Sequence, residues 1–157
     1  NSHHHFDHAG GLRTAAAAGA TLVVSEPARS WFQGALAQPN AILPDALARS
    51  GRSPSFIGVD GRRVFSDAQR TAEVHFIADS VHARGFMMVW LPRERLLIEA
   101  DAYTPGAPNA APPAQPNPLH VNLLANIERL GLDVDRILPL HGRVVPLGEL
   151  KTAAGRR

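Results

Sequence analysis

The chain has 157 residues, 45% of them hydrophobic, and its sixteen basic and fourteen acidic residues leave a net charge of +2. This length supports one packed core, so we predict a single domain over residues 1–157, and no apolar run reaches the roughly 20 residues that cross a bilayer. Fifteen of the basic residues are arginines scattered along the chain, without the stripe that follows a phosphate backbone, so composition favours neither a membrane nor a nucleic-acid partner.

The first half of the chain alternates between helical and strand-like patterns. Apolar periodicity, turn residues and runs of β-branched residues mark the boundaries between these patterns. The expected elements are, in order, a helix over residues 11–18, a buried strand over 21–24, a helix beginning near Ser25, a short helix after Pro44, and two strands over 63–65 and 73–77.

The second half contains a long interruption between regular elements. Residues 104–118 include six prolines in fifteen positions, which neither a helix nor a central strand tolerates, so we predict an extended loop. The elements expected around this loop are a hairpin of two strands over residues 86–91 and 96–100, an amphipathic helix from Leu119 to Leu130, and a buried strand over residues 136–140.

The opening run holds four potential metal ligands in the pattern H-x-H-x-D-H. In an extended segment, residues two apart point the same way, so His3 and His5 can reach one metal. Asp7 and His8, at a turn, can reach a second metal. Because the chain has no cysteine, any metal must be held by imidazole and carboxylate groups.

Three consecutive histidines also occur in affinity tags, and residues 3–5 taken alone favour that interpretation. A tag does not account for the run from Phe6 to Leu12, nor for three further candidates downstream. His82 precedes the strand at residues 86–91, Asp101 follows the strand at 96–100, and His141 follows the last strand. Strand ends are positions from which a sheet presents side chains into a cleft.

The run of residues 2–11 resembles the signature motif of the metallo-β-lactamase superfamily. Residues 80–82, 97–101 and 137–142 resemble the family's later ligand segments, in the same order and with intervals of 77, 19 and 40 residues from His5 onward. The resemblance implies one metal site of His3, His5 and His82, a second site of Asp7, His8 and His141, and Asp101 bridging the two.

The resemblance also implies a reaction. A hydroxide shared by two zinc ions would cleave a small ester, thioester, lactone or lactam, and Asp7 would orient that hydroxide and carry its proton. Manganese or iron would also suit such ligands. The presence of both His8 and Asp101 resembles glyoxalase II-like and lactonase-like members more than dedicated β-lactamases.

The family fold is an αββα sandwich whose first sheet precedes this motif, so the resemblance implies a partial α/β fold that lacks its N-terminal sheet. We therefore expect a second copy, in a homo-oligomer, or a further segment to cover the apolar face. We also expect His3 and His5 to lie on a poorly supported terminus.

Two alternatives keep the fold and change the function. The first is a non-catalytic module that uses the fold for interaction. The second is a nucleic-acid-processing phosphodiesterase, but such enzymes often carry a large insertion before the last histidine. The 40 residues between Asp101 and His141 leave little room for one.

Several other polar and aromatic residues are expected to be structural. His4 and Phe6 should point away from the metals as packing residues, and His75 should be a satisfied core or surface histidine. His120 should cap its helix or lie at the surface. Tyr103 either donates a hydrogen bond to a substrate oxygen or packs within its loop.

Overall fold

The computed structural model describes residues 1–156 as a mixed α/β fold with two sheets. None of the helices in this described part is long and apolar enough to span a bilayer. The strands are β1 (Thr21–Ser25), β2 (Ser55–Val59), β3 (Arg62–Ser66), β4 (Thr71–Phe76), β5 (Met87–Leu91), β6 (Leu96–Glu99), β7 (Arg136–Pro139) and β8 (Val145–Pro146). The helices are α1 (Phe6–Ala9), α2 (Leu12–Ala17), α3 (Arg29–Ala37), α4 (Ala46–Ser50), α5 (Pro118–Arg129) and α6 (Leu147–Ala153).

The helix ends show the local chemistry that the sequence predicts. The side chain of Asp45 accepts the Ala48 N–H at 2.9 Å and begins α4 just after Pro44, which confirms the short helix expected there. Asn117 likewise accepts the Leu119 N–H at 2.9 Å at the start of α5. The amphipathic pattern of α5 is confirmed by its buried apolar residues, which are Leu123, Leu124 and Ile127.

The six-stranded sheet has the order β3-β4-β5-β6-β7-β8. Strands β3 to β6 are antiparallel neighbours, and the predicted hairpin of β5 and β6 is confirmed. Strand β7 instead runs parallel to β6, after a crossover through the proline-rich loop and α5, with Glu99 in register with Pro139. Because the two strands are parallel, the residues that follow them emerge at the same edge of the sheet.

The six-stranded sheet is packed on one face and partly packed on the other. One face packs against α5 and α6 in the largest core cluster, where Phe86, Leu97 and Leu150 have no exposed surface. A smaller cluster joins Val59 of β2 to Val74 and Met87 on the other face. The parallel pair β1-β2 therefore forms a second layer against part of the six-stranded sheet.

Four elements, α1, β2, β8 and α6, have no counterpart among the predicted elements. Strand β2 contains Gly58, which weakens a local strand signal, and it forms because it pairs along its whole length with β1. A Cβ at Gly58 would lie 1.4 Å from the carboxylate of Glu26, so a larger residue there would displace that side chain. Helix α6 contains Gly148 near its start, which lowers the helical signal in the same way.

A buried asparagine ties α5 to the loop between β4 and β5. Asn126 is 3% exposed, and its Oδ1 accepts the Ala78 N–H at 2.8 Å. Its Nδ2 donates to the Ala78 carbonyl at 3.0 Å and to the Asn122 carbonyl at 2.9 Å. The side chain thus satisfies both backbone groups of Ala78, at the beginning of the loop that contains His82.

We expect Asn126→Leu to lower the free energy of unfolding by about 2–4 kcal/mol, because it leaves the Ala78 N–H without an acceptor and removes one of the two donors to the Ala78 carbonyl. Urea denaturation of the purified variant measures this loss. Asn122→Leu is the matched control on the same helix, since Asn122 donates only to carbonyl oxygens of this loop and Asn126 still binds Ala78. The control should cost less than about 1 kcal/mol, and equal losses would contradict the role given to Asn126.

Candidate metal centre

Seven side chains from distant parts of the sequence meet at the edge of the six-stranded sheet where β6 and β7 end. They form two groups, and within each group one ligand atom per residue lies within 4.8 Å of the others. The first group is His3, His5, His82 and Asp101, and the second is Asp7, His8 and His141. These are the seven residues that the sequence pattern singles out, and the structure brings all of them together.

The segment that carries His3 and His5 is firmly held. The backbone nitrogen of Asn1 donates to the Val23 carbonyl of β1 at 2.8 Å, and Met87 of β5 donates to the Ser2 carbonyl at 2.9 Å. His3 is 2% exposed. The expectation of a poorly supported segment is therefore wrong, because the segment is hydrogen-bonded to strands of both sheets.

His141 reaches the centre from the end of β7. The Leu140 N–H donates to the Glu99 carbonyl at 2.9 Å, which continues the pairing of β6 and β7 up to the centre. Gly142 follows with φ 120°, a conformation that favours glycine. A Cβ at this position would lie 3.0 Å from Cδ of Pro105. The proline-rich loop thus packs directly against the turn after His141.

Asp101 contacts imidazoles of both groups. Its Oδ2 lies 3.2 Å from Nε2 of His3, 3.0 Å from Nε2 of His8 and 2.8 Å from Nε2 of His82. Its Oδ1 lies 3.0 Å from Nε2 of His141. One carboxylate, 16% exposed, is therefore in contact with four imidazole rings at once.

The ring nitrogens fit a bound cation better than a network of hydrogen bonds. Nε2 of His3 lies 3.0 Å from Nδ1 of His5 and 3.1 Å from Nε2 of His82. One ring nitrogen carries at most one proton and cannot donate to all of these neighbours. Both ring nitrogens of His8 are buried without a hydrogen bond of acceptable geometry to any residue of the described chain. A cation among them would accept their lone pairs.

Burial, reinforced by the neighbouring His8, lowers the pKa of His3 to about 4. The imidazole is therefore neutral at pH 7 and keeps a lone pair for a metal. The donor set around it consists of imidazole nitrogens and carboxylate oxygens. Such donors suit zinc, manganese or iron.

A buried glutamate that the sequence analysis did not single out shapes the turn at Asp101. Glu99 is 4% exposed, and its Oε2 accepts the N–H groups of Ala102 at 2.9 Å and Tyr103 at 3.1 Å. Burial, assisted by the nearby Asp101, raises the pKa of Glu99 to about 8. The signal that could have revealed it is a single acidic residue at the end of an otherwise apolar strand.

Of the two residues between the ligands that were expected to pack away from the metals, one does so and one does not. Phe6 is 88% exposed, so its predicted packing role is wrong, because no other part of the described chain covers it. The ring of His4 lies 5.4 Å from that of Trp31, centre to centre, in an edge-to-face contact. His4 thus packs on α3, as expected of a residue pointing away from the metals.

Two further histidines lie outside the cluster. His75 is 4% exposed and lies 3.0 Å from Glu73, which confirms a satisfied core histidine. The cap predicted as one role of His120 is wrong, because Asn117 supplies the cap. The half-buried ring of His120 packs against another aromatic residue. The rings of His120 and Tyr103 meet edge to face at 4.9 Å, and Tyr103 is 2% exposed, in agreement with loop packing.

Comparison with known proteins identifies relatives of this fold. Residues 1–141 match the family model described as the metallo-beta-lactamase superfamily. A metallo-beta-lactamase from Pontibacter korlensis aligns with a TM-score of 0.63 and 19% identity, over 98% of this chain and 65% of that one. An archaeal metallo-beta-lactamase superfamily protein from Sulfolobus tokodaii aligns with a TM-score of 0.63 and 19% identity, over 98% and 64%.

The same fold occurs in rubredoxin oxygen:oxidoreductase from the anaerobe Desulfovibrio gigas, with a TM-score of 0.65 and 17% identity, over 98% of this chain and 42% of that one. No curated protein sequence matches the chain. At these identities the solved structures show the fold alone, and the chain spans at most 65% of the length of these three proteins.

We expect Glu99→Leu to lower the free energy of unfolding by about 2–4 kcal/mol, because two buried N–H groups lose their acceptor. Glu99→Gln keeps an acceptor oxygen and should be close to the wild type at pH 5. Because the pKa of Glu99 is raised from 4.5 to about 8, the wild type should lose stability relative to the Gln variant progressively between pH 4.5 and 8, and the difference should level off at higher pH.

Urea denaturation in EDTA at pH 5, 7 and 9 measures both effects without a metal contribution. Equal stability of the Leu and Gln variants, or a stability difference between Gln and wild type that does not grow with pH, would contradict the role of Glu99.

Proposed function

This chain belongs to the metallo-beta-lactamase superfamily, and we propose that it forms the metal-binding part of a hydrolase acting on a small ester, thioester, lactone or lactam. The observation that carries the proposal is the position of Asp101, whose two carboxylate oxygens contact imidazoles of both ligand groups. A carboxylate in this position suits a bridge between two cations, which is the arrangement that a dinuclear hydrolase requires.

The proposed ligands follow the two groups. His3, His5 and His82 would hold one ion, Asp7, His8 and His141 would hold the other, and Asp101 would bridge them. We propose zinc, with manganese or iron as the alternatives that the same donors accept. When bound, zinc would supply a Lewis acid for the scissile carbonyl and would lower the pKa of a coordinated water from about 15.7 to near 7.

The chain's own residues would perform the remaining tasks. The side chain of Asp7 is 47% exposed, and its Oδ2 lies 3.2 Å from Nε2 of His8. A carboxylate open to solvent beside a buried imidazole can accept a proton and return it to a leaving group. His3, neutral and almost fully buried, would keep its orientation throughout, because its neighbours leave its ring no room to rotate.

A non-catalytic module with the same fold is the competing proposal. Measurements of bound metal and of hydrolytic activity distinguish it from the hydrolase. A chain that is folded without metal and gains no stability from zinc would favour the module. A chain that binds two ions and hydrolyses an ester, thioester, lactone or lactam would favour the hydrolase.

We expect isothermal titration of EDTA-treated protein with zinc to show about two ions per chain, and Asp101→Asn to weaken binding by about 10–100-fold or more. The physical reason is the loss of the one negatively charged group shared by both ligand groups. Asp133→Asn is the matched control, because Asp133 is an exposed carboxylate paired with Arg95 and lies before β7, whereas His141 follows the other end of that strand. Unchanged zinc affinity in the Asp101 variant would contradict the ligand assignment.

Hydrolysis should be measured on the zinc-loaded chain with nitrocefin, a lactone, a thioester and a phosphodiester. We expect nitrocefin, the lactone or the thioester to be hydrolysed faster than the phosphodiester. We also expect Asp7→Asn to lower kcat by about 10²–10⁴-fold at saturating zinc. Asp60→Asn, a change in an exposed turn, serves as the control. Turnover of the phosphodiester alone would point to the nuclease, and no turnover at full zinc occupancy would point to the module.

A further inference from the structure

A cavity separate from the metal centre lies between the proline-rich loop, the beginning of α5 and α6. Its volume is about 540 Å³, and none of the seven side chains of the metal centre lines it. We refer to it as the loop cavity and define it by Tyr103, Asn117, His120, Glu149 and residues 104–115 of the loop. Its volume falls within the range of roughly 300–1,000 Å³ typical of small-molecule sites.

Two polar aromatic groups in the wall of the loop cavity have unused hydrogen-bonding capacity. Tyr103 is 2% exposed, and no residue of the described chain hydrogen-bonds to its hydroxyl group. Nδ1 of His120 is buried and likewise has no partner within residues 1–156. Buried polar groups are normally paired, so Nδ1 of His120 favours a ligand that can donate or accept a hydrogen bond. The Tyr103 hydroxyl offers such a ligand a second partner.

The charges around the loop cavity indicate an uncharged ligand. Glu149 is the one charged residue among its described lining residues, and its Oε1 accepts a hydrogen bond from Arg143 at 2.9 Å. Burial lowers the pKa of His120, so that ring is neutral at pH 7. Neither an anion nor a cation would meet an unpaired opposite charge on this wall, and burying an uncompensated charge is strongly unfavourable.

The remaining wall combines apolar side chains with uncharged polar ones, namely Thr104, Asn109, Gln115, Asn117 and Thr152. It is lined by small side chains that leave room for a flat molecule, namely Ala107, Ala110, Ala111, Pro113, Pro146 and Ala153. Gly148 of α6 also lines the cavity, and a Cβ built there would meet no atom within 4 Å. The edge-to-face pair of Tyr103 and His120 offers a further aromatic contact, and aromatic rings pack well in such arrangements.

We propose that the loop cavity binds a small, uncharged aromatic molecule that carries one hydrogen-bonding group, such as an amide or a hydroxyl. The ring would lie against the alanine and proline side chains. Its polar group would pair with the Tyr103 hydroxyl or with His120. This site is separate from the metal centre, so the proposal holds whether or not the chain is a hydrolase.

The test is a titration of the ¹⁵N-labelled full chain with benzamide, followed by backbone amide chemical shifts. Benzoate and benzylamine serve as matched probes that differ mainly in charge. We expect benzamide to cause saturable shifts at Gly106, Ala110 and Gly148, and both charged probes to bind at least about tenfold more weakly because their charge must be desolvated without a partner.

Two variants locate the site. Tyr103→Phe removes only the hydroxyl and should weaken benzamide binding by about threefold to tenfold, the usual effect of one hydrogen bond. Gly148→Leu should abolish binding, because its side chain enters the space that the ligand would occupy. Gly34→Leu is the matched control on α3, where a Cβ also meets no atom within 4 Å, and it should leave the affinity unchanged.

Three results would overturn the proposal. The first is the absence of saturable benzamide shifts in the wild type. The second is binding of benzoate or benzylamine as tight as that of benzamide. The third is a set of shifts confined to residues 3–8 and His82, which would place the probe at the metal centre. Loss of binding in both Gly148→Leu and Gly34→Leu would count equally against the cavity, because it would show a general effect on the fold.

Discussion

The contact of one carboxylate with four imidazole rings is the constraint on which the rest of this structure depends. Asp101 sits between two clusters of ring nitrogens and is largely withdrawn from solvent. Neutral imidazoles cannot compensate a buried negative charge, and their own lone pairs face one another. Positive charge at the centre resolves both problems, which is why bound metal fits this geometry better than any assignment of protons.

The scaffold holds these groups through contacts between distant segments. The parallel pairing of β6 and β7 places Asp101 and His141 at one sheet edge, and the long crossover between them supplies α5. Helix α5 in turn holds the loop of His82 through Asn126. Glu99 closes the turn that presents Asp101. In both cases a buried polar side chain hydrogen-bonds to backbone groups near a candidate ligand, so the packing of the core and the geometry of the site are coupled.

The fold itself leaves the reaction open. The relatives that share it include metallo-beta-lactamases and an oxygen:oxidoreductase, so the reaction must be argued from the site, and from its metal in particular. The proline-rich loop connects the metal centre with the loop cavity. It packs against the turn after His141 on one side and forms the wall of the loop cavity on the other.

The amino-acid sequence by itself determined the β5-β6 hairpin and helix α5, because these follow from short-range spacing and periodicity. It also singled out the seven candidate ligands, through the resemblance of their four segments to those of the family. The tertiary structure alone decided the elements and contacts whose partners lie far along the chain. Strand β2 forms beside β1 despite Gly58, Asn126 reaches Ala78, and His3 is supported by two separate strands. A local pattern cannot encode such contacts, because their free energy appears only once the chain has brought both partners together.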